Sequence, residues 1–176
     1  MRNPITELSI STSHGQFKAH YSGKGLAGLN FPNGRAELPL GSDALQRVPN
    51  QIRDWHRATE TALKSTLAGR TPKNLPPLDW SAGTEFQKSV WNALRRIPFG
   101  KTCSYGEIAK QIGKPRAVRA VGGACGANPI PVLVPCHRVL AANKKLGGFS
   151  GGLNWKRALL AREGVTFGNR AEFRHS

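Results

Sequence analysis

An α+β fold in two parts is predicted for this 176-residue chain, with a helical second half that contains a helix-turn-helix. Three observations point there. Alternation of apolar and polar residues is confined to ITELSISTS, QFKAHYS and GLAGLNF near the start. Apolar residues at helical spacing dominate the rest of the chain. Between two such stretches lies RTPKNLPPLDWSA, with three prolines and no period. The predicted organisation is therefore a β-then-α domain over 1–69, a linker over 70–82, a second domain over 83–167 and a tail over 168–176. This length suffices for one generous domain or two small ones.

The alternating runs are separated by His14-Gly15 and by Ser22 to Gly25, which reads as an antiparallel meander. After the loop PNGRAELPLGSD, Val48, Ile52, Trp55, Thr59, Leu63 and Leu67 recur on one helical face, and Gly69 stops it. In the second half, Thr84 and Gln87 have capping-box spacing, and Phe86, Val90, Trp91 and Leu94 form an apolar face. Ser104 and Glu107 repeat the capping box, Ile108, Ala109 and Ile112 face inward, and Gly113 closes that helix. Pro115 is placed to open the next one, PRAVRAVGGACGA. Two short helices across a tight glycine-containing turn have the pattern of a helix-turn-helix.

On this last helix Val118, Val121 and Cys125 would face the core, leaving Arg116, Arg119, Gly122, Gly123 and Gly126 on the other side. A glycine inside a helix costs about 1 kcal/mol relative to alanine. A frayed helix end or close packing against a neighbour would account for three of them; so would close approach to a ligand. A DNA minor groove only about 6 Å wide would demand residues as small as Gly122, Gly123 and Ala120.

Charge favours a polyanionic partner. The chain carries 26 Lys+Arg against 10 Asp+Glu, a formal net charge of +16. Residues 1–80 hold 10 basic and 6 acidic side chains, whereas residues 81–176 hold 16 and 4, so the second half carries the field. A solvated basic surface is the alternative account. The opening residues MRNPITELSI lack the apolar stretch of a signal peptide, and no run is long enough to span a bilayer. A cytoplasmic protein is expected, or a nuclear one in a eukaryote, with no membrane partner.

Three cysteines, Cys103, Cys125 and Cys136, form neither a disulfide framework nor a metal-spaced pair. Cys136 stands out, in NPIPVLVPCHRV. Val132 to Val134 read as a buried strand, stiffened by Pro135 before the thiol. A free cysteine is commonly an inert core residue, but His137 beside it supplies a base that would raise the thiolate fraction. Neighbours in a strand point to opposite faces, so either the chain turns here or a water connects the two. The imidazole also needs an orienting partner. Glu163, at the end of NWKRALLARE, is the candidate, against an exposed pairing with Arg162. Ser150, in the glycine-rich LGGFSGG, would reach a ligand or fill a turn.

Residues 83–164, from GTEFQKSVWNALRRIPFG through NPIPVLVPCHRV to GFSGG and LLAREG, resemble the O6-alkylguanine-DNA alkyltransferases. The resemblance implies a ribonuclease-H-like first domain supporting a helical second one. It implies that Cys136 takes an alkyl group from O6 of guanine, or from O4 of thymine, once per molecule. His137 would act as base through a water and Glu163 would orient it. Tyr105 would relieve charge at the purine N3, and Asn128 would be the hinge before the active-site segment. The carbonyls of Cys136 and Val139, the backbone of Ser150, and Arg138 and Gly151 would receive the base. Arg119 would fill the gap left by an extruded nucleotide, while Arg116, Ala120, Gly122 and Gly123 meet double-stranded DNA in its minor groove. A monomer without cofactor is implied. No metal site is expected, since no cysteine precedes Cys103. Cys103 and Cys125 are read as structural, and His14, His20, His56 and His175 as surface or packing residues. A DNA-binding lesion-recognition or regulatory protein without chemistry is the alternative. A thiol hydrolase is a third class, for which no oxyanion-hole signature stands out.

Overall fold

Three antiparallel strands open the computed structural model, which describes residues 4–34 and 43–167. They are β1 (Thr6–Thr12), β2 (Gly15–Ser22) and β3 (Gly25–Asn30), in the order expected of a meander. Part of the following loop and the whole of the 168–176 tail lie outside the described residues. The chain divides into two compact units, Met1–Ala82 and Gly83–Ser176.

In the first unit, β1 and β2 pair from Thr6↔Tyr21 to Thr12↔Gly15. That register sends Leu8, Ile10, Phe17, Ala19 and Tyr21 into the core together. A four-residue helix, α1 (Asp43–Gln46), precedes α2 (Asn50–Leu67). The latter buries Thr59, Leu63 and Leu67 as its spacing predicts, together with His56, Ala62 and Thr66. Val48, Ile52 and Trp55 are only half-buried. Buried threonines are tolerated because Thr59 donates to the Trp55 carbonyl at 2.7 Å and Thr66 to that of Ala62 at 3.0 Å.

The proline-rich stretch does more than link. Leu26 N–H donates to the Pro77 carbonyl, Asp79 N–H donates back to the Leu26 carbonyl, both at 2.8 Å, and Leu78 bridges Leu26 in parallel. A proline has no N–H but keeps its acceptor, so Pro77 can lie on a strand edge without breaking it. Gly25 permits the approach: with φ +153°, a Cβ there would stand 2.2 Å from the Pro77 carbonyl oxygen.

The second unit is built from α3 (Glu85–Leu94), β4 (Cys103–Ser104), α4 (Tyr105–Gln111), α5 (Val118–Gly126), β5 (Val139–Leu140) and α6 (Leu153–Arg162). Both expected capping boxes form, at Thr84 with Gln87 and at Ser104 with Glu107. α4 ends at Gly113, φ +73°, where Gly113 N–H meets the Lys110 carbonyl and Lys114 N–H that of Ala109. α5 packs on α3 and α4, and the Trp91 indole donates to the Ala124 carbonyl at 2.8 Å.

Two expectations fail here. α5 starts at Val118 rather than at Pro115, because Lys114 to Ala117 close a turn of their own, with Ala117 N–H donating to Lys114. Val118 is consequently 41% exposed, and Ala124 joins Val121 and Cys125 on the buried face. The two-residue parallel pair of β4 and β5 (Cys103↔Val139, Ser104↔Leu140) has no counterpart in the sequence pattern.

Candidate active site

The segment before the thiol turns where a strand was expected. Residues 131–133 form a turn in which Val132 has φ +73°, an outlier conformation for a β-branched residue. Asn128 braces it from both sides: its Oδ1 accepts from Ile130 N–H at 3.0 Å and its Nδ2 donates to the Val134 carbonyl at 2.9 Å. Pro135, at φ −80° and ψ 64°, then makes an inverse γ-turn, with Cys136 N–H donating to Val134 at 2.8 Å. Cys136–Arg138 is a single 3-10 turn, so the strict alternation of a strand does not separate Cys136 from His137.

His137 is fully buried, and its Nε2 lies 2.7 Å from Glu163 Oε1. Its Nδ1 is buried with no protein hydrogen-bond partner. With a carboxylate on Nε2, the proton sits there and Nδ1 is left as an acceptor. Burial pushes the imidazole below its ordinary value, although Glu163 pulls the other way. Burial alone would raise Glu163; the hydrogen bonds from His137 and Arg138 outweigh it and hold the carboxyl at about 2. At neutral pH an ionised carboxylate thus faces a neutral imidazole.

Glu163 is placed by the end of α6. It is the capping residue, and Gly164, φ +72°, closes the helix with Val165 N–H on the Leu160 carbonyl. Its other partners are the Gly100 N–H at 3.0 Å and Arg138, which donates through Nε and Nη2 at 2.9–3.1 Å. Nη1 of Arg138 donates to the Ile97 carbonyl. Arg138, expected to bind substrate, is thus spent on Glu163 and Ile97, and it neutralises a carboxylate that the helix dipole alone would disfavour.

Cys136 is 4% exposed and opens on a cleft of about 450 Å³. Tyr105 from α4, Gly122, Cys125 and Gly126 from α5, and Gly148, Phe149 and Ser150 complete its wall. Burial pushes the thiol up; the Asn128 amide, Lys156 and the backbone N–H groups of Cys136 and His137 oppose it. Tyr105 is raised by burial, while a backbone hydrogen bond from Gly148 opposes the shift. That leaves the phenolic proton available to another acceptor. The glycine loop closes on this tyrosine: a Cβ at Gly147, φ +68°, would stand 2.8 Å from its oxygen. Leu146 packs with Leu140 and Leu160, anchoring the loop.

Of the other expected binding residues, Ser150 lines the cleft but Gly151 is not part of its wall. The Val139 carbonyl already accepts a 2.7 Å hydrogen bond from Lys156. Cys125, read as structural, is buried and also lines the cleft, so it has both parts. Lys156 escaped the sequence reading because Lys156-Arg157 looks like a solvated basic pair. A spacing signal did exist, since Lys156 lies one turn before Leu159 and Leu160 on the buried side of α6.

The exposed side of α5 presents Arg119, Ala120, Gly123 and Gly126, with Arg116 just before it and Gly122 half-buried. A Cβ at Gly122, Gly123 or Gly126 would meet nothing within 4 Å. Packing within the second unit therefore does not require these glycines. Among the described residues, no group of three or more His, Cys, Asp or Glu is arranged to hold a metal, and no helix is long and apolar enough to cross a membrane.

Residues 85–165 match the family described as 6-O-methylguanine DNA methyltransferase, DNA binding domain. The methylated-DNA--protein-cysteine methyltransferase of Methanosarcina acetivorans is 45% identical over 141 residues, covering 80% of this chain and 86% of that protein. The protein of the same name from Mycobacterium tuberculosis is 63% identical over 81 residues, 46% of this chain and 49% of the relative. A crystal structure of Mycobacterium tuberculosis OGT in complex with DNA superposes with a TM-score of 0.67 at 39% identity, covering 89% of this chain and 91% of that one. An archaeal O6-methylguanine-DNA methyltransferase, from Pyrococcus kodakaraensis, agrees in fold at TM-score 0.59 and 24% identity. With a thiol in the wall of one cleft, a buried imidazole next to it in the chain and bound to an ionised carboxylate, and with relatives matched along most of its length, the chain belongs to the O6-alkylguanine-DNA alkyltransferase family.

Proposed function

We propose that this protein repairs DNA by direct reversal, transferring an alkyl group irreversibly from O6 of guanine to Cys136. The observation that carries this reading is the His137 imidazole, held on Glu163 through Nε2 with Nδ1 left as an acceptor in the turn that bears the thiol. The Cys136 proton passes through a water to Nδ1, and the imidazolium is stabilised by Glu163. The sulfur attacks the alkyl carbon in line; the S–C bond forms as the C–O6 bond breaks. Negative charge on the departing guanine is relieved by proton donation from Tyr105 at the purine N3. Ser150, Gly148 and Phe149 supply the wall against which the base sits. O4-alkylthymine offers the same displacement. A thioether has no hydrolytic exit, so each molecule reacts once.

A stacked base cannot reach a thiol inside a cleft, so the nucleotide is extruded from the duplex. α4 and α5 serve as the helix-turn-helix, with Ala120, Gly122 and Gly123 entering the minor groove, Arg119 filling the vacated stack and Arg116 on the backbone. The glycines with open space above them favour this reading. The first unit is read as the ribonuclease-H-like support, and the protein as a monomer on DNA.

Intact mass spectrometry after exposure to a methylated-guanine oligonucleotide tests the reading. One methyl mass on the peptide containing Cys136, and no more, is expected. Equal transfer by Cys136→Ala would overturn it.

A further inference from the structure

Lys156 lies inside α6 with none of its surface exposed, a placement that lysines almost never adopt without a compensating partner. Its hydrogen bonds go to backbone carbonyls, Val139 at 2.7 Å and Gly148 at 3.2 Å. These two carbonyls belong to the segment that follows the thiol and to the glycine loop across the cleft. The titratable groups that act on its charge are not carboxylates but the two cleft thiols, Cys136 and Cys125. Burial depresses the ammonium to about 8, and the thiols pull it back up. The same charge opposes protonation of His137, which favours the neutral base at rest.

The other groups around Cys136 do not duplicate it. Tyr105 on α4 and Cys125 on α5 are both pushed up by burial and stay neutral at working pH. Asn128 contributes only an amide dipole. His137 is neutral until it takes the proton, and behind it Arg138 is committed to Glu163. A neutral donor would serve to tie two carbonyls together; a full charge buried beside a sulfur does more.

We propose that Lys156 is the counter-charge of the acceptor thiol, a positioning residue that stabilises the Cys136 thiolate while tying the Val139 carbonyl, in the segment after the thiol, to the Gly148 carbonyl of the cleft wall. The proposal rests on the alkyl-transfer reading.

The test is the single-turnover rate of methyl transfer from a methylated-guanine oligonucleotide, followed between about pH 6 and pH 10 for the intact protein, Lys156→Met and Lys156→Gln. At neutral pH both variants are expected to be slower by roughly 10- to 100-fold, the equivalent of one to two pKa units on the thiol. The gap should close above about pH 8, where the native lysine loses its own charge. Lys156→Gln keeps a donor for the carbonyls, so it should follow Lys156→Met in pH dependence even where it retains a better-ordered cleft.

A rate loss by the same factor at every pH would mean that Lys156 is only a strut, and would overturn the proposal. So would a variant profile that overlays the native one. Should neither variant fold, the native profile decides, because a break in slope near pH 8 is required and its absence is fatal. Failure of the native protein to gain a methyl mass on Cys136 would instead sink the alkyl-transfer reading.

Discussion

Among the described residues each unit buries one histidine, and the two are used in opposite ways. His56 on α2 places Nδ1 3.1 Å from the Tyr21 hydroxyl and is also bonded to the backbone of Ser9. Its ring stands edge-on to the Tyr21 ring at 5.7 Å. Those bonded partners are neutral, and burial pushes its pKa down against the opposing charge of Glu60, which makes no hydrogen bond to the ring. His137 has one nitrogen on an ionised carboxylate and the other without a protein partner. Burial alone therefore does not make a base. A base needs a stabilised cation on one side and a free lone pair on the other.

Substitution separates the two roles most sharply. His137→Gln should slow alkyl transfer by on the order of 10² to 10⁴, the usual range for a general base, with DNA binding retained. His56→Gln should leave the single-turnover rate of the folded fraction unchanged and lower the melting temperature instead. Equal rate losses would erase the distinction.

Glu163 extends the contrast to stability. Glu163→Gln leaves the Arg138 guanidinium buried without its carboxylate and should cost about 3–5 kcal/mol in denaturant unfolding. In the native protein Glu163 is held at about 2 against an ordinary 4.5. Its stabilisation is complete above 4.5 and is lost as pH falls towards 2. Both histidines sit below their ordinary 6.5, so each withdraws stability as pH falls through and below that value. Melting temperature against pH should decline from about 6.5 downward, and in Glu163→Gln the steep segment below 4.5 should flatten.

Glycines divide the same way. Gly123→Ala, with open space above it, should stabilise α5 by about 1 kcal/mol while weakening duplex binding. Gly25→Ala, against the Pro77 carbonyl, should destabilise the first unit and leave DNA affinity alone. A Gly123→Ala protein that binds duplex normally would remove α5 from the groove. The smallest effect is the salt response: if roughly four to six phosphates are contacted, log affinity should fall with log salt at a slope near −4 to −5. Arg116→Ala should lower that slope by about one.

Much of the molecule is legible in its sequence. The meander, both capping boxes, and the glycine stops at Gly69 and Gly113 rest on local rules that need only neighbouring residues. Glu163 is legible because a carboxylate at a helix C-terminus is electrostatically out of place. Residues 132–134 mislead because β-branched residues between prolines imitate a strand, while the Asn128 side chain holds Val132 at φ +73°. Arg138 and Lys156 mislead because a basic side chain shows its partner only once distant segments are brought together.

The order of residues by itself determined where helices start and stop, which thiol has a histidine beside it, and which half of the chain carries positive charge. Those are properties of short windows and of sums. Tertiary structure decided which groups share low-dielectric space: Lys156 on the Val139 and Gly148 carbonyls, Arg138 on Glu163, and the unpartnered nitrogen of His137. Burial and long-range hydrogen bonds set the protonation states there, and neither exists until the chain has folded.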